Sequence, residues 1–395
     1  MEIRHTTAED YDLYFSTVAS AFGQFFPTAA GSGLMGAFEP DRGLFALGPD
    51  GRPIGCSSSY SFELTLPGGA LAPAGALTGV GVLATHRRQG VLSAMMRRQF
   101  DNFRERNEYL SVLLASEAVI YRRFGYGPAT YTRRLTVDRR AAAFVSPTAT
   151  GTIELQARET CTDLMEEIYD RYRRAQPGAV SRPHNWWELG AGQPPVSPVP
   201  RQVAIHRDEE GVADGYAAYL VTAGTLTVDE IIAVDDAAFT ALAQFVLSHD
   251  LVKQVVLQHV PTGNPLRWQL ADFRAAEPAG ETDWLWVRIL DVPRALAARG
   301  WFADGELVLD VEDGFADQGG RYLLTVRDGK AECARTERAA DLSLDVSDLG
   351  SVYLGGTEMS TLVRAGRVRA HRDGVVAVAD GLFRGEREPH CLHWF

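Results

Sequence analysis

Residues 78–92 read TGVGVLATHRRQGVL, and no other stretch limits the possible folds as sharply. An apolar strand passes through a basic, glycine-containing turn into a helix expected from about Gln89 to Asn107. That helix carries Leu92, Met95, Met96, Phe100 and Phe103 on one side and Arg97, Arg98 and Arg104 elsewhere, a 3.6-residue stripe meant for packing. A strand feeding an amphipathic helix belongs to an α/β domain. The neighbouring pattern agrees, with strands expected at Glu2–Arg4, Gly43–Leu47, Ile54–Leu66, Ala76–Leu83 and Leu110–Leu114, and a short helix at Ala118–Phe124.

The turn is suited to holding an anion. Backbone N–H groups at the start of a helix point out of the positive end of its dipole, and Arg87 and Arg88 beside them would receive a pyrophosphate. Gly90 lets the backbone approach the phosphates with no side chain in the way. Gly79 and Gly81 predict a bulge, or the close approach of an extended ligand. By spacing alone the two arginines could simply complete an exposed helix end, but the dipole disfavours them there unless an anion is bound. The turn is neither a Walker loop, which needs Gly-Lys-Ser or Gly-Lys-Thr, nor a GxGxxG dinucleotide turn.

A chain of 395 residues has room for two to four compact units. Its 51 acidic and 39 basic residues leave a net charge of -12, a field that repels nucleic-acid backbones and steers cations such as polyamines or amino sugars inward. Cys56, Cys161, Cys333 and Cys391 are scattered without a CxxC pair and read as reduced thiols in a cytosol. His390 and His393 flank Cys391, but such close spacing lacks the distant second pair of a structural zinc site, so no metal is expected. The N-terminus carries charges where a signal peptide needs an apolar segment. The uncharged runs 13–38 and 64–85 are broken by Pro27 and by Pro67 and Pro73, so neither is expected to enter a membrane.

Three domains are expected. Tyr131–Arg139 alternates as a strand, and the small polar run Ser146–Thr152 after it sets the first boundary near residue 145. A second α/β stretch follows, with a helix near Cys161–Arg174, strands at Arg201–His206, Ala213–Val221 and Leu226–Ala233, a helix at Ala237–Ser248 and a strand at Gln254–His259. It repeats the helix-then-strand order of the first without any glycine-rich turn. From Leu290 the texture becomes a strand series of α+β type, and the chain ends in the aromatic tail Cys391–Phe395. The expected division is 1–145, 146–288 and 289–395.

The segment Arg87–Leu92 resembles the acyl-CoA motif of the GNAT acetyltransferases, which is Gln or Arg, two variable residues, Gly, one variable residue and Gly or Ala; Leu92 departs at the last position. Together with residues 115–130, 135–140, 284–293 and 349–355 it is similar to one branch, the enhanced intracellular survival (Eis) acetyltransferases, over essentially the whole chain. The resemblance implies an α/β and α+β architecture: two tandem GNAT-like domains, mixed sheets flanked by helices, the second without its own cofactor site, then a domain like sterol carrier protein. It implies a homohexamer that transfers acetyl from acetyl-CoA to amines, including aminoglycosides at several positions and lysine side chains.

Carried over residue by residue, Val80 and Val82 would offer backbone groups to the pantetheine arm, and Arg87, Arg88 and Gly90 would hold the pyrophosphate. Ser116 falls on a further cofactor-side position. Tyr121 matches the general acid that protonates the departing thiolate; a phenol with pKa near ~10 is protonated at neutral pH yet can donate to a thiolate. A buried structural tyrosine is the competing account. The general base implied by the family is the carboxylate of the last residue, Phe395, whose aromatic surroundings His393 and Trp394 could exclude water and raise an α-carboxyl pKa from about 3.3–3.7. Family position and composition suggest Phe22, Phe25, Phe26, Glu39, Asp41, Trp284 and Trp286 as lining for the acceptor amine, with core packing the alternative for each, and Gln24 lies in the segment where family members can place an acid. Two other functions stay open from sequence: a carrier of apolar ligands with a vestigial GNAT unit, and a protein-lysine acetyltransferase.

Overall fold

The computed structural model describes residues 1–23, 36–146, 150–188 and 201–395; Gln24, Phe25 and Phe26 lie outside them. In chain order the first elements are β1 (Glu2–His5), α1 (Tyr11–Ala21), β2 (Leu44–Leu47), β3 (Pro53–Thr65), β4 (Leu71–Val82), α2 (Val91–Glu105), β5 (Leu110–Leu114), α3 (Ala118–Tyr121) and β6 (Gly127–Pro128). Next come β7 (Tyr131–Asp138), β8 (Thr152–Ala157), α4 (Arg158–Arg174), α5 (His184–Glu188), β9 (Gln202–Arg207), β10 (Ala213–Thr222), β11 (Thr225–Ala233), α6 (Asp236–Leu247), β12 (Gln254–Val260), α7 (Leu266–Gln269) and β13 (Ala276–Asp283). The last are β14 (Leu285–Ile289), α8 (Val292–Ala298), β15 (Gly305–Glu312), β16 (Gly320–Arg327), β17 (Lys330–Arg335), β18 (Leu342–Asp345), α9 (Val346–Tyr353), α10 (Met359–Arg364), β19 (Val368–Ala370) and α11 (Val375–Phe383).

Two compact units result. One comprises Met1–Ala129, Leu285–Glu386 and Phe395, the other Thr130–Trp284 and Arg387–Trp394. The first unit holds a seven-stranded mixed sheet in the order β1-β2-β3-β4-β5-β14-β6 and a five-stranded sheet in the order β17-β16-β15-β18-β19. On α2 the expected stripe is inside: Met95, Met96, Phe100 and Phe103 are buried, while Arg97, Arg98 and Arg104 are not. All eight residues of α9 are buried, against β14 and β6 among others, so the sterol-carrier-like portion is packed onto the first sheet. A buried ion pair, Arg42 to Glu108 at 2.7 Å with Ser59 also receiving from the guanidinium, ties the start of β2 to the end of α2; its desolvated charges are compensated by three hydrogen bonds.

Two strands pair across the expected boundaries. β7 does not join the first sheet; it lies between β12 and β13 in the second, whose order is β13-β7-β12-β11-β10-β9-β8. Conversely β14, placed in the second domain up to residue 288, pairs with β5 and β6 in the first sheet. Period-2 alternation identifies a strand but not its partner, which sits more than a hundred residues away for β7. Near the end of the chain, residues 387–394 group with the second unit and Phe395 with the first.

Within the second unit the tail is fixed rather than frayed. His390 donates its backbone N–H to the Pro177 carbonyl at 2.8 Å, and Gln176 donates to the Glu388 carbonyl at 2.8 Å. Arg182 forms a buried pair with Glu230 at 3.3 Å, stacks on the rings of Tyr169 and Trp187, and donates from Nε to His393 Nδ1 at 3.1 Å. The His393 ring also lies 4.7 Å from that of Trp186.

These contacts make the tail acid-sensitive. Burial holds the His390 imidazole down at about 3, and burial with the Arg182 charge holds His393 well below its ordinary value. Both rings are neutral when folded but protonate near 6.5 when unfolded, so the unfolded state binds the extra protons. Stability is therefore complete above about pH 6.5 and falls as pH drops toward 3, by about 1.4 kcal/mol per pH unit for each ring. Urea denaturation between pH 7.5 and 5 is expected to show this loss, and it should be smaller in the His390→Phe variant.

Candidate active site

The site begins with a mismatch between β3 and β4. Ser58 opposes Thr78 and Cys56 opposes Gly81, so β4 has one more residue than β3 over this stretch. The extra residue is accommodated at Gly79, whose φ of 56° is left-handed and whose missing Cβ would overlap the Tyr14 hydroxyl. Tyr14, on α1, donates to the Gly79 carbonyl at 3.3 Å and so holds the bulge from above. Gly79→Ala is expected to cost about 1–2 kcal/mol from the left-handed backbone alone and to displace Tyr14, read as a lowered Tm and a raised KM for acetyl-CoA.

β4 leaves its parallel neighbour just before the bulge. β4 and β5 pair only from Ala74 opposite Leu110 to Ala76 opposite Val112, although β4 runs on to Val82 and β5 to Leu114. A wedge opens between the strands, and the β4 edge carrying Val80 and Val82 faces it. An extended amide chain could complete that edge as an added strand does.

The turn after β4 leads to the anion position. A short 3-10 turn at Ala84–His86 is followed by Arg88 at φ 61° and Gly90 at φ 82°, and the helix starts at Val91, two residues later than expected. Among the described residues no side chain caps α2, and no acid occupies its first turn. Its leading N–H groups therefore remain available to an anion at the positive end of a fifteen-residue helix. Arg87 is partly committed elsewhere: Nη2 donates to the Ala21 carbonyl at 2.8 Å and Nε to the Val82 carbonyl at 3.3 Å, so it staples the end of α1 to the turn. Arg88 is exposed, with no partner among the described residues.

On the far side of the wedge, the loop after β5 carries Ser116 and ends in the single turn α3, which presents Tyr121. Tyr121 is 7 % exposed, its ring 6.2 Å from Tyr126. Burial pushes its phenol above the usual 10, a hydrogen bond with Ser116 pulls it back, and the nearby Glu117 carboxylate raises it again. The hydroxyl is thus a proton donor across the neutral range. Tyr126 is different: its hydroxyl is shared with Ser111 at 2.7 Å, and Ser111 donates to the Gly75 carbonyl, an inward structural role.

The last residue belongs to the same unit. Phe395 is 8 % exposed, and its ring meets Phe62 edge-on at 5.3 Å and 86°. Phe62 lies opposite Ala74, and Ala74 opposite Leu110, so the terminal ring is seated level with the first of the three paired β4–β5 rungs, two residues before the strands part after Ala76. A Cβ on Gly75 would run into the Phe103 ring of α2, so Ala74 and Phe62 face away from α2. Phe395 therefore approaches from the sheet face opposite that helix.

The remaining sequence candidates are less available. Glu39 accepts from the Ser61 N–H and hydroxyl at 2.8 and 2.7 Å, Asp41 pairs with Arg106 at 2.9 Å, and Trp286 is buried in the cluster of Tyr121, Phe100 and Met96. Trp284 belongs to the second unit and donates to the His393 carbonyl at 3.3 Å. Phe22 is about half exposed. Sequence reasoning did not find Tyr14, although its position one helical turn below Val18, on the buried side of α1, was a signal.

A bulged β4, a wedge beside it and an uncapped helix start define a GNAT acetyltransferase, and comparison with known proteins agrees. Residues 2–129 match an acetyltransferase (GNAT) domain model, residues 178–289 a second one, and residues 292–392 a sterol carrier protein domain model. The chain is 35% identical to an uncharacterized N-acetyltransferase of Streptomyces coelicolor, covering 100% of both, and 33% identical to N-acetyltransferase Eis of Mycobacterium tuberculosis, covering 96% of each. The crystal structure of Eis1 from Mycobacterium abscessus superposes with a TM-score of 0.89 over 100% of both chains at 36% identity. The chain belongs to the Eis family of N-acetyltransferases and is an enzyme that acetylates amines.

Proposed function

We propose that this enzyme transfers acetyl from acetyl-CoA to small polycationic amines of the aminoglycoside type, by direct attack of the amine on the thioester. One set of features supports the reading: a single unit holds the β4–β5 wedge, an uncapped helix start, a buried protonated phenol and the buried last residue. Val80 and Val82 bind the pantetheine arm along the β4 edge, and the N–H groups after Gly90 take the pyrophosphate with Arg88. Arg87 shapes that turn and adds its charge. Ser116 orients the Tyr121 hydroxyl.

The Phe395 carboxylate accepts the proton that the ammonium must lose, and the freed nitrogen lone pair bonds to the acetyl carbon. As the C–S bond breaks, its electron pair goes to sulfur and Tyr121 donates its proton to the thiolate; the nitrogen's second proton passes to solvent as the amide forms, solvent reprotonates the phenol, and the Phe395 carboxyl releases its proton to solvent. The net charge of -12 draws cationic acceptors toward the enzyme. The same reading takes the protein to be a cytoplasmic homohexamer, which light scattering on the purified chain tests for assembly.

The direct test is release of CoA thiol with kanamycin, with spermidine and with a lysine peptide as acceptors. Turnover with kanamycin well above the acceptor-free rate supports the proposal. Turnover with the lysine peptide alone would instead identify a protein-lysine acetyltransferase.

A further inference from the structure

The second unit repeats the cofactor-side geometry of the first without its chemistry. β11 and β12 are parallel and joined through a helix, as β4 and β5 are; they pair from Thr225 opposite Gln254 to Val228 opposite Leu257, while β11 runs on to Ala233. Where they part lies a cavity of about 310 Å³. Ile231 from β11, Phe239 from α6 and Val260 from β12 supply apolar wall, and Arg387, His390 and Leu392 of the tail also line it.

This is not a second acyl-CoA site. At the start of α6 the Asp235 carboxylate already accepts from the Ala238 N–H at 2.9 Å, and Asp236 adds a further negative charge in the first turn. Glu388 lines the same cavity, so three carboxylates face one arginine and anions are disfavoured.

The polar groups that lack partners are imidazoles. His390 is 1 % exposed, lines the cavity, and neither ring nitrogen has a hydrogen-bond partner among the described residues. His259 lines it too, and its Nδ1 is likewise unpartnered. Burial keeps both rings neutral, so each offers one donor and one acceptor. Buried polar atoms without partners are costly, and two such rings around one cavity point to a ligand that completes them.

We propose that this cavity binds a small uncharged molecule with an apolar ring and an adjacent donor and acceptor, of the primary-amide type, hydrogen-bonded by His390 and His259. The apolar wall of Ile231, Phe239 and Leu392 takes the ring, and the two imidazoles take the amide. This proposal does not depend on the mechanism above.

Benzamide and benzoate, alike in shape and different in charge, test it on the full chain carrying ¹⁵N-histidine. Benzamide is expected to shift the ring-nitrogen signals of His390 and His259 saturably, and benzoate at equal concentration is not. His390→Gln and His259→Gln should each weaken benzamide about tenfold while leaving acetyl-CoA affinity unchanged. If His390→Gln does not retain the wild-type melting profile, the wild-type titration and His259→Gln decide. Absence of any benzamide-dependent shift, undiminished affinity in the variants, or benzoate binding as tightly as benzamide overturns the proposal.

Discussion

Replacing the terminal carboxylate of Phe395 by a carboxamide, through semisynthesis, is expected to lower kcat by about 10²–10⁴-fold, the usual worth of a positioned general base, with acetyl-CoA affinity unchanged. The amide retains the ring and its edge-on contact with Phe62, so the packing that seats the terminus survives and only the basic group is lost. Deleting Phe395, or extending the chain past it with a tag, should have at least as large an effect. An ordinary chain end is exposed and idle, whereas this one is 8 % exposed and follows a segment in which Cys391 and His393 are fully buried.

The second large effect is at Tyr121. Tyr121→Phe keeps the ring in its cluster with Phe100, Phe124 and Trp286 and removes the hydroxyl that would protonate the leaving thiolate. We expect kcat to fall by about 10²–10³-fold with little change in KM for acetyl-CoA. Because burial lifts the phenol above its usual 10, the acidic group should stay protonated through the neutral range, and the alkaline limb of the pH–rate profile assigned to it should lie above pH 10. Thioesters with a better leaving thiol need less proton donation, so the variant's defect should shrink with them. If the defect is instead the same for every thioester, Tyr121 has only a packing role.

Sequence gave access to these residues unevenly. The strand–turn–helix at 78–92 carries its own physics, and the buried stripe on α2, the bulge at Gly79 and the turn glycine Gly90 all follow from residue types at local spacing. The roles of Tyr121 and Phe395 had no such local signal; a tyrosine and an aromatic tail read equally well as packing, and only family resemblance singled them out. Sheet membership was the least legible property. β13 reads AEPAGETD and is exposed along most of its length, so it shows no alternation, and only its pairing with β7 makes it a strand. The tail's anchoring through Pro177 and Arg182 depends on contacts across some two hundred residues of sequence, beyond the reach of any periodicity. Arg87 carries a second role that spacing does not show: charge beside a helix start points to a phosphate ligand, and its donors also serve the Ala21 and Val82 carbonyls.

One crystal structure would test the mechanism most directly: the enzyme with CoA and kanamycin bound. The account predicts a Phe395 carboxylate oxygen within about 2.6–3.2 Å of an acceptor amine, directly or through one water, and the Tyr121 hydroxyl at similar reach of the CoA sulfur. A carboxylate turned away from an amine that is otherwise poised at the thiol would contradict it.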